Sequence, residues 1–190
     1  MSKLLVVVDM QNDFIDGTLG TKEAQSIVPN VVKKIEECRK NGDDVFFTKD
    51  THFFNYMKTE EGKNLPIEHC INRTNGWEIC DALKPYVDNL HTFTKETFGS
   101  LDLGVYLDEG FLSPISYDKS YDEIVLIGVC TGVCVLSQAV MCKSAQPNAH
   151  IVVDAACCAC VTPHSHDVAI EAMKTLQIEI RNGGKEPWRK

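Results

Sequence analysis

The sequence predicts an α/β protein, three layers deep (αβα), built on a central, mainly parallel six-stranded sheet. Three observations predict it. Apolar runs of strand length alternate with segments of helical period, the pattern left by repeated βαβ units. The first run, Leu4 to Val8, is aliphatic at every position, as expected for a parallel strand covered on both faces. Finally, polar residues able to do chemistry follow several of these runs directly, at the edge where an open parallel sheet gathers its ligands.

The elements follow in order. After the strand Leu4 to Val8, the residues Val31, Ile35 and Cys38 share one helical face, with Pro29 in the first turn and Asn41-Gly42 as the stop. A second strand covers Val45 to Thr48. Residues 50 to 87 lack a clean period and carry Gly62, Pro66, Gly76 and Pro85, so they read as a long loop with short helical pieces. Loops of that length in a compact domain are usually functional. A short strand at Leu90 to Thr94 leads into mixed structure through Ser113-Pro114. Strand Ile124 to Ile127, a helix from about Thr131 to Ser144 and strand Ile151 to Val153 make another βαβ unit. A helix from about Ser165 to Thr175 and a strand from Leu176 to Ile180 complete the six strands.

Composition narrows the functional classes. With 190 residues and 44% of them hydrophobic, the chain suits one domain spanning residues 1–190, and no linker or repeat divides it. The net charge is −8, with lysines and arginines scattered, which argues against nucleic acid as a partner. No apolar run reaches membrane-spanning length, and the N-terminus lacks the features of a secretion signal, so a cytoplasmic protein with no membrane partner is expected. The nine cysteines are an odd set outside any secretory context, so reduced thiols are expected rather than a disulfide framework. Cys157, Cys158 and Cys160, beside His164 and His166, lack the paired spacing of a structural zinc site, and core packing is the simpler reading.

Four of the strands run into polar residues: the first into Asp9, the second into Asp50 with His52, the third into Lys95, and the fourth into Cys130 and Cys134. Alone, Asp9 could be a cap and Lys95 a solvated lysine. Together they supply a base and a charge partner for Cys134, whose strand-to-helix turn offers free N–H groups and a helix dipole that favour thiolate. Such a trio can hydrolyse an amide. Asp9 takes the thiol proton, the sulfur attacks the carbonyl, and the oxyanion is met by backbone N–H groups of Cys130 and Cys134. Asp9 then protonates the leaving nitrogen and water hydrolyses the thioester. In the long loop, Asp50, His52 and His69, with Glu60 or Glu61 between them, form a mixed N and O donor set suited to Zn²⁺, Fe²⁺ or Mn²⁺. Capping or solvated-surface roles are the plainer alternative for each of these.

With these residues assembled, the chain resembles the nicotinamidase/isochorismatase superfamily of cysteine hydrolases, in its nicotinamidase (pyrazinamidase) branch, over nearly its whole length. Val-Val-Asp9-Met-Gln11-Asn12-Asp13-Phe14 is similar to the family's opening strand and loop, Thr-Lys-Asp50-Thr-His52 to its metal segment, and Lys95-Glu-Thr-Phe-Gly-Ser to its lysine segment. Gly128-Val-Cys130-Thr131-Gly-Val-Cys134-Val is similar to its nucleophile turn, and Asp154-Ala-Ala with Thr162 and His166 to its final stretch. The resemblance implies catalytic Asp9, Lys95 and Cys134, and a cis peptide between Val129 and Cys130 that aims the N–H groups of Cys130 and Cys134 at the oxyanion. It also implies a divalent metal, Zn²⁺ before Fe²⁺ or Mn²⁺, held by Asp50, His52 and His69 and gripping a pyridine nitrogen, with Phe14 lining the ring pocket. The implied reaction is nicotinamide to nicotinic acid and ammonia, a step of NAD salvage, in a protein that assembles into homo-oligomers.

Two departures from the family pattern are visible. Where many nicotinamidases carry another histidine shortly after the Asp-x-His pair, this chain has Phe53-Phe54-Asn55-Tyr56; Glu61 is the expected substitute ligand, with Glu60 second. An aromatic residue before the last metal histidine is replaced by Leu65-Pro66-Ile67-Glu68, which leaves Phe53, Phe54, Tyr56 or Trp77 to supply the ring wall. The alternative readings are a related cysteine hydrolase of another small amide and, from a different class, a non-catalytic thiol-rich module that binds zinc or senses redox state. The latter explains nine cysteines but not Asp9 and Lys95.

Overall fold

A computed structural model describes residues 2–108 and 120–189 of the chain. The expected end of the mixed segment at Ser113-Pro114 lies outside the described residues. Six strands, β1 (Lys3–Val8), β2 (Asp44–Asp50), β3 (Thr92–Lys95), β4 (Glu123–Val129), β5 (His150–Ala159) and β6 (Glu179–Arg181), form one sheet in the order β3-β2-β1-β4-β5-β6, with every pairing parallel. The helices are α1 (Asn12–Ile15), α2 (Lys22–Asn41), α3 (Glu60–Asn64), α4 (Leu101–Asp108), α5 (Leu136–Ala145) and α6 (Pro163–Thr175). This is the three-layer arrangement expected from the sequence.

Alternation along β1 explains its unbroken aliphatic run. Leu4, Val6 and Val8 pack with Leu103, Ala139 and Met173 of α4, α5 and α6 on one face, while Leu5 and Val7 pack with Ile27, Val31 and Ile35 of α2 on the other. Each such side chain contributes roughly 1.5–3 kcal/mol by leaving water, far more than strand propensity alone. Among the described residues no helix is long and apolar enough to cross a membrane.

Several boundaries differ from the sequence reading. Helix α2 begins at Lys22 because the Thr21 hydroxyl accepts from the Ala24 N–H at 3.0 Å, and Ala24 and Ile27 extend its buried face; Pro29 lies inside it rather than in its first turn. Strand β5 is ten residues long because it bulges between its pairings with Leu126 and Gly128, carrying the small Ala and Cys residues that hid it. Leu176 ends α6 and Gln177 takes a left-handed turn (φ 61°), so β6 starts at Glu179 rather than Leu176. Residues Asn89–His91 form a short 3₁₀ turn, delaying β3 to Thr92.

The strand order reverses direction between β1 and β4, which makes their carboxyl ends the expected ligand crevice. Gly128 is required there: it holds φ 119°, and a Cβ on it would meet the Val8 carbonyl oxygen at 2.1 Å. The close approach brings the ends of β1 and β4 together, and Val8 pairs in register with Gly128.

Candidate active site

Asp9, the first residue past β1, takes the left-handed backbone conformation (φ 48°) and is fully buried. Its Oδ1 accepts from the Thr48 hydroxyl at 2.7 Å, and its Oδ2 lies 2.7 Å from the Lys95 ammonium. Lys95 ends β3 beside Asp50 at the end of β2, the two being partners in register. Its Nζ reaches the Cys134 sulfur at 3.6 Å and Asp50 Oδ1 at 3.4 Å. Three separate strands therefore deliver one carboxylate, one ammonium and one thiol to a single buried point.

Cys134 sits in a π-helical turn, Thr131–Val135, that precedes α5. The Cys130 carbonyl, heading that turn, accepts from the N–H groups of Val133 at 3.0 Å and Val135 at 3.2 Å. The peptide between Val129 and Cys130 is cis. Burial raises the Cys134 thiol well above an ordinary cysteine, and Asp9 pushes the same way against Lys95. The expectation that the turn would favour thiolate is thus overturned, because desolvation and neighbouring carboxylates outweigh the helix dipole. Burial also raises Asp9, opposed by Lys95. Burial acts against a charged Lys95, but Asp9, Cys134 and Asp50 overcome it and keep the ammonium above the ordinary lysine range. Asp9 and Cys134 consequently compete for one proton beside a fixed cation.

Alongside lies a second cluster. Asp50, His52, Glu61 and His69 each present one donor atom, all within 4.8 Å of one another. His52 Nε2 is 3.0 Å from Asp50 Oδ2 and 3.7 Å from Glu61 Oε1, and His69 Nε2 is 3.5 and 3.8 Å from the same two oxygens. Glu61 rather than Glu60 faces the group; Glu60 is exposed and pairs with Lys63 at 3.1 Å. The His69 Nδ1 lies 2.8 Å from the Ile67 carbonyl, which can only accept, so the proton sits there and Nε2 is left as a lone-pair donor. Burial works against the Asp50 charge, yet His52, His69 and Lys95 hold its carboxyl well below the usual range, while burial and then Asp50 push Glu61 up. The residues fit a divalent metal: His52 Nε2 is buried with no hydrogen-bond partner, and two carboxylates converge on two imidazoles.

The two clusters meet in a cavity of about 500 Å³ whose lining includes Asp50, Glu61, His69, Cys130 and Cys134. Its remaining wall is largely apolar, with Phe14, Leu65, Ile67, Phe98, Val133 and Val161. Phe14 is half-buried, its ring 5.5 Å from that of His69. The expected substitutes for the aromatic wall do not line this cavity. Phe54 is 92% exposed, Tyr56 is buried against His52 and His69, and Trp77 donates from its indole to Thr51 while the Lys49 ammonium covers its ring. Phe53 and Tyr56 instead line a second cavity of about 430 Å³, which His52 and Glu61 also line.

Sequence reasoning missed three supports of the site. Gln11 is a buried clamp on Asp50: its amide donates to the Asp50 and Trp77 carbonyls at 2.8 and 2.9 Å and accepts from the Asp50 N–H at 2.7 Å. Asp13 Oδ2 accepts from the Cys70 N–H at 2.7 Å, fixing the chain next to His69. Phe98, three residues past Lys95, has no spacing or residue type that marks it as a cavity wall in the sequence. Behind the turn, buried His166 bridges Thr131 Oγ1 (2.8 Å from Nδ1) and Glu186 Oε1 (3.2 Å from Nε2).

A family model described as the Isochorismatase domain matches residues 3–182. The chain belongs to this family. A curated relative from Arabidopsis thaliana, named a probable inactive nicotinamidase, is 29% identical and aligns with 92% of this chain and 89% of its own length. Among solved structures, a pyrazinamidase/nicotinamidase from Streptococcus mutans is 26% identical with a TM-score of 0.77, covering 94% of this chain and 99% of the other. A pyrazinamidase from Pyrococcus horikoshii, solved in complex with zinc, shares the fold at 24% identity and a TM-score of 0.76, covering 95% and 98%. The family's nicotinamidase branch is thus where this isochorismatase-like hydrolase falls.

Proposed function

We propose that the chain hydrolyses nicotinamide, or a closely similar aromatic amide, to the acid and ammonia through a thioester on Cys134. The observation that carries this reading is the convergence of Asp9, Lys95 and Cys134 beside a His₂ and carboxylate donor cluster at one apolar cavity. The reading is further supported by the pyrazinamidase/nicotinamidase name of the Streptococcus mutans protein, while the Arabidopsis relative is named as probably inactive.

In this mechanism Asp9 accepts the Cys134 proton as the sulfur attacks the amide carbon. Lys95 stays protonated throughout, holding Asp9 in place and balancing the sulfur's charge before the bond forms. The N–H groups of Cys130 and Cys134 receive the oxyanion, a kind of stabilisation typically worth about 3–4 kcal/mol for each preorganised donor. Asp9 returns the proton to the leaving nitrogen, ammonia departs, and Asp9 then activates the water that cleaves the thioester. A divalent ion held by Asp50, His52, Glu61 and His69, zinc being the first expectation, would supply a Lewis acid that binds and orients the substrate's ring nitrogen. Phe14 and the aliphatic wall exclude water from the acyl group.

One observation favours a neighbouring substrate. Beside Phe14 and Phe98 the wall is aliphatic, with Leu65, Ile67 and Val161, which suits another small apolar amide as well as a flat heteroaromatic one. Ammonia release from nicotinamide, measured with and without a chelator and in Cys134→Ala, tests the proposal. Chelator-sensitive release that disappears in the variant supports it; release that survives in Cys134→Ala refutes the mechanism. Release from other small amides but not nicotinamide would move the substrate assignment and leave the thioester chemistry standing.

A further inference from the structure

Cys160 belongs to neither cluster, yet it shares the cavity with Cys134 and Cys130. Register explains why. Val129 of β4 pairs with Ala159 of β5, so the next residues along, Cys130 and Cys160, stand side by side where the two strands end. Adjacent strands run about 4.8 Å apart, within the roughly 4.4–6.8 Å between Cα atoms that a disulfide spans. Both cysteines are free, both line the cavity, and Cys130 is half-buried there. A Cβ on Gly132 would sit 3.6 Å from the Cys160 sulfur, so the nucleophile turn lies directly against it.

We propose that Cys130 and Cys160 form a peroxide-reactive thiol pair, in which Cys160 is oxidised first and Cys130 resolves it to a disulfide. The neighbouring Cys130 thiol, against the opposing effect of burial, holds Cys160 down to about 5, which favours its thiolate over that of Cys130. Cys130 is correspondingly raised, first by its Cys160 neighbour, and Cys134 is kept protonated by burial and Asp9. The catalytic candidate is therefore not the thiol that a peroxide meets as an anion.

The chemistry balances with a hydroperoxide as the oxidant. The Cys160 thiolate attacks one peroxide oxygen; an S–O bond forms, the O–O bond breaks, sulfur loses two electrons, and the other oxygen leaves to be protonated as water or an alcohol. The Cys130 sulfur then attacks the sulfenic sulfur; the S–S bond forms, the S–O bond breaks, and the departing hydroxide takes the Cys130 proton as water. Closing the sulfurs to about 2.05 Å pulls on the residue that heads the π-helical turn. Since the Cys130 carbonyl anchors Val133 and Val135, the movement is transmitted to the backbone that carries Cys134.

The test follows sulfur rather than amide turnover, so it is answered whether or not the chain hydrolyses nicotinamide. The purified native chain is treated with a small excess of hydrogen peroxide at neutral pH, free thiols are alkylated, and each cysteine is quantified by mass spectrometry before and after dithiothreitol. The expected result is loss of two thiols per chain, at Cys130 and Cys160, fully restored by dithiothreitol. In Cys130→Ser, dimedone should trap a sulfenic acid at Cys160; in Cys160→Ser, oxidation of the first thiol should slow at least tenfold. Oxidation of Cys134 ahead of Cys160, or peroxide leaving both Cys130 and Cys160 reduced, overturns the proposal. The native-chain measurement stands without either variant.

Discussion

Lys95 Nζ lies 2.7 Å from Asp9 Oδ2, and both groups are buried at the ends of strands that are not neighbours in the sheet. Such a pair is fixed by its surroundings. Removing one member leaves the other as an uncompensated charge, so each variant changes more than the group deleted.

Asp9→Asn should separate activity from thiolate content. Amide hydrolysis should fall by roughly 10²- to 10⁴-fold because the general base is gone. At the same time Cys134 loses a carboxylate that raises it and keeps the Lys95 cation that lowers it. Its alkylation by iodoacetamide should therefore begin at lower pH than in the native chain. An unchanged or higher alkylation midpoint would contradict the assigned electrostatics.

Glu61 and Glu60 make an internal control for the metal site. Glu61→Gln should weaken retention of a divalent ion by about 10- to 100-fold, since it removes one of four converging donors. Glu60→Gln should leave retention unchanged, its carboxylate being paired outward with Lys63. Elemental analysis after dialysis against graded chelator reads both. Equal losses in the two variants would remove Glu61 from the ligand set.

His166 holds the back of the nucleophile turn through Thr131, and its removal in His166→Ala should lower kcat about tenfold with a smaller change in KM. Burial keeps its pKa below the ordinary value of 6.5, against the pull of Glu186. The unfolded chain therefore binds this proton at higher pH than the folded chain. Stability associated with neutral His166 is complete above about 6.5 and is lost as pH falls through the folded value. Denaturant unfolding between pH 8 and pH 5 should show a shallower decline in His166→Gln than in the native chain. Parallel declines would show that His166 is not a source of the slope.

Among the described residues, the cavity's acidic lining consists of Asp50 and Glu61, and the lining includes no lysine or arginine. With Asp50 and Glu61 engaged by the metal, amides bearing a carboxylate should be hydrolysed at least about 100-fold less efficiently than neutral amides of the same size, because that carboxylate would be buried against the apolar wall without a cationic partner. Comparing kcat/KM for nicotinamide and an N-carbamoyl amino acid checks this. Comparable values would require a cationic contact that the structure does not provide.

Much of the site was legible because its residues stand at strand ends, and strand ends show as breaks in hydropathy: Asp9 after five aliphatic residues, Cys130 after Ile124 to Val129. Long stretches that depend on packing were harder to read. The extension of β5 through Ala155 to Ala159 and the start of α2 before Pro29 follow from a bulge and a Thr21 cap, neither of which has a periodic signature. Phe98 and Gln11 carry no local marker of function, because their roles depend on neighbours distant in sequence. The choice of Glu61 over Glu60 depends on which side of the short helix α3 faces His52 and His69.

The sequence by itself determined the fold class, the strand order of the chemistry along the chain, and the family, because aliphatic runs, helical periods and short polar segments are local properties. Tertiary structure alone decided which residues line the cavity, that burial pushes the Cys134 thiol up, and that Cys130 and Cys160 follow paired strand ends into that cavity. Those depend on burial and on distances between strands far apart in sequence, and desolvation, the largest influence on the buried thiol, exists only once the chain has closed around it.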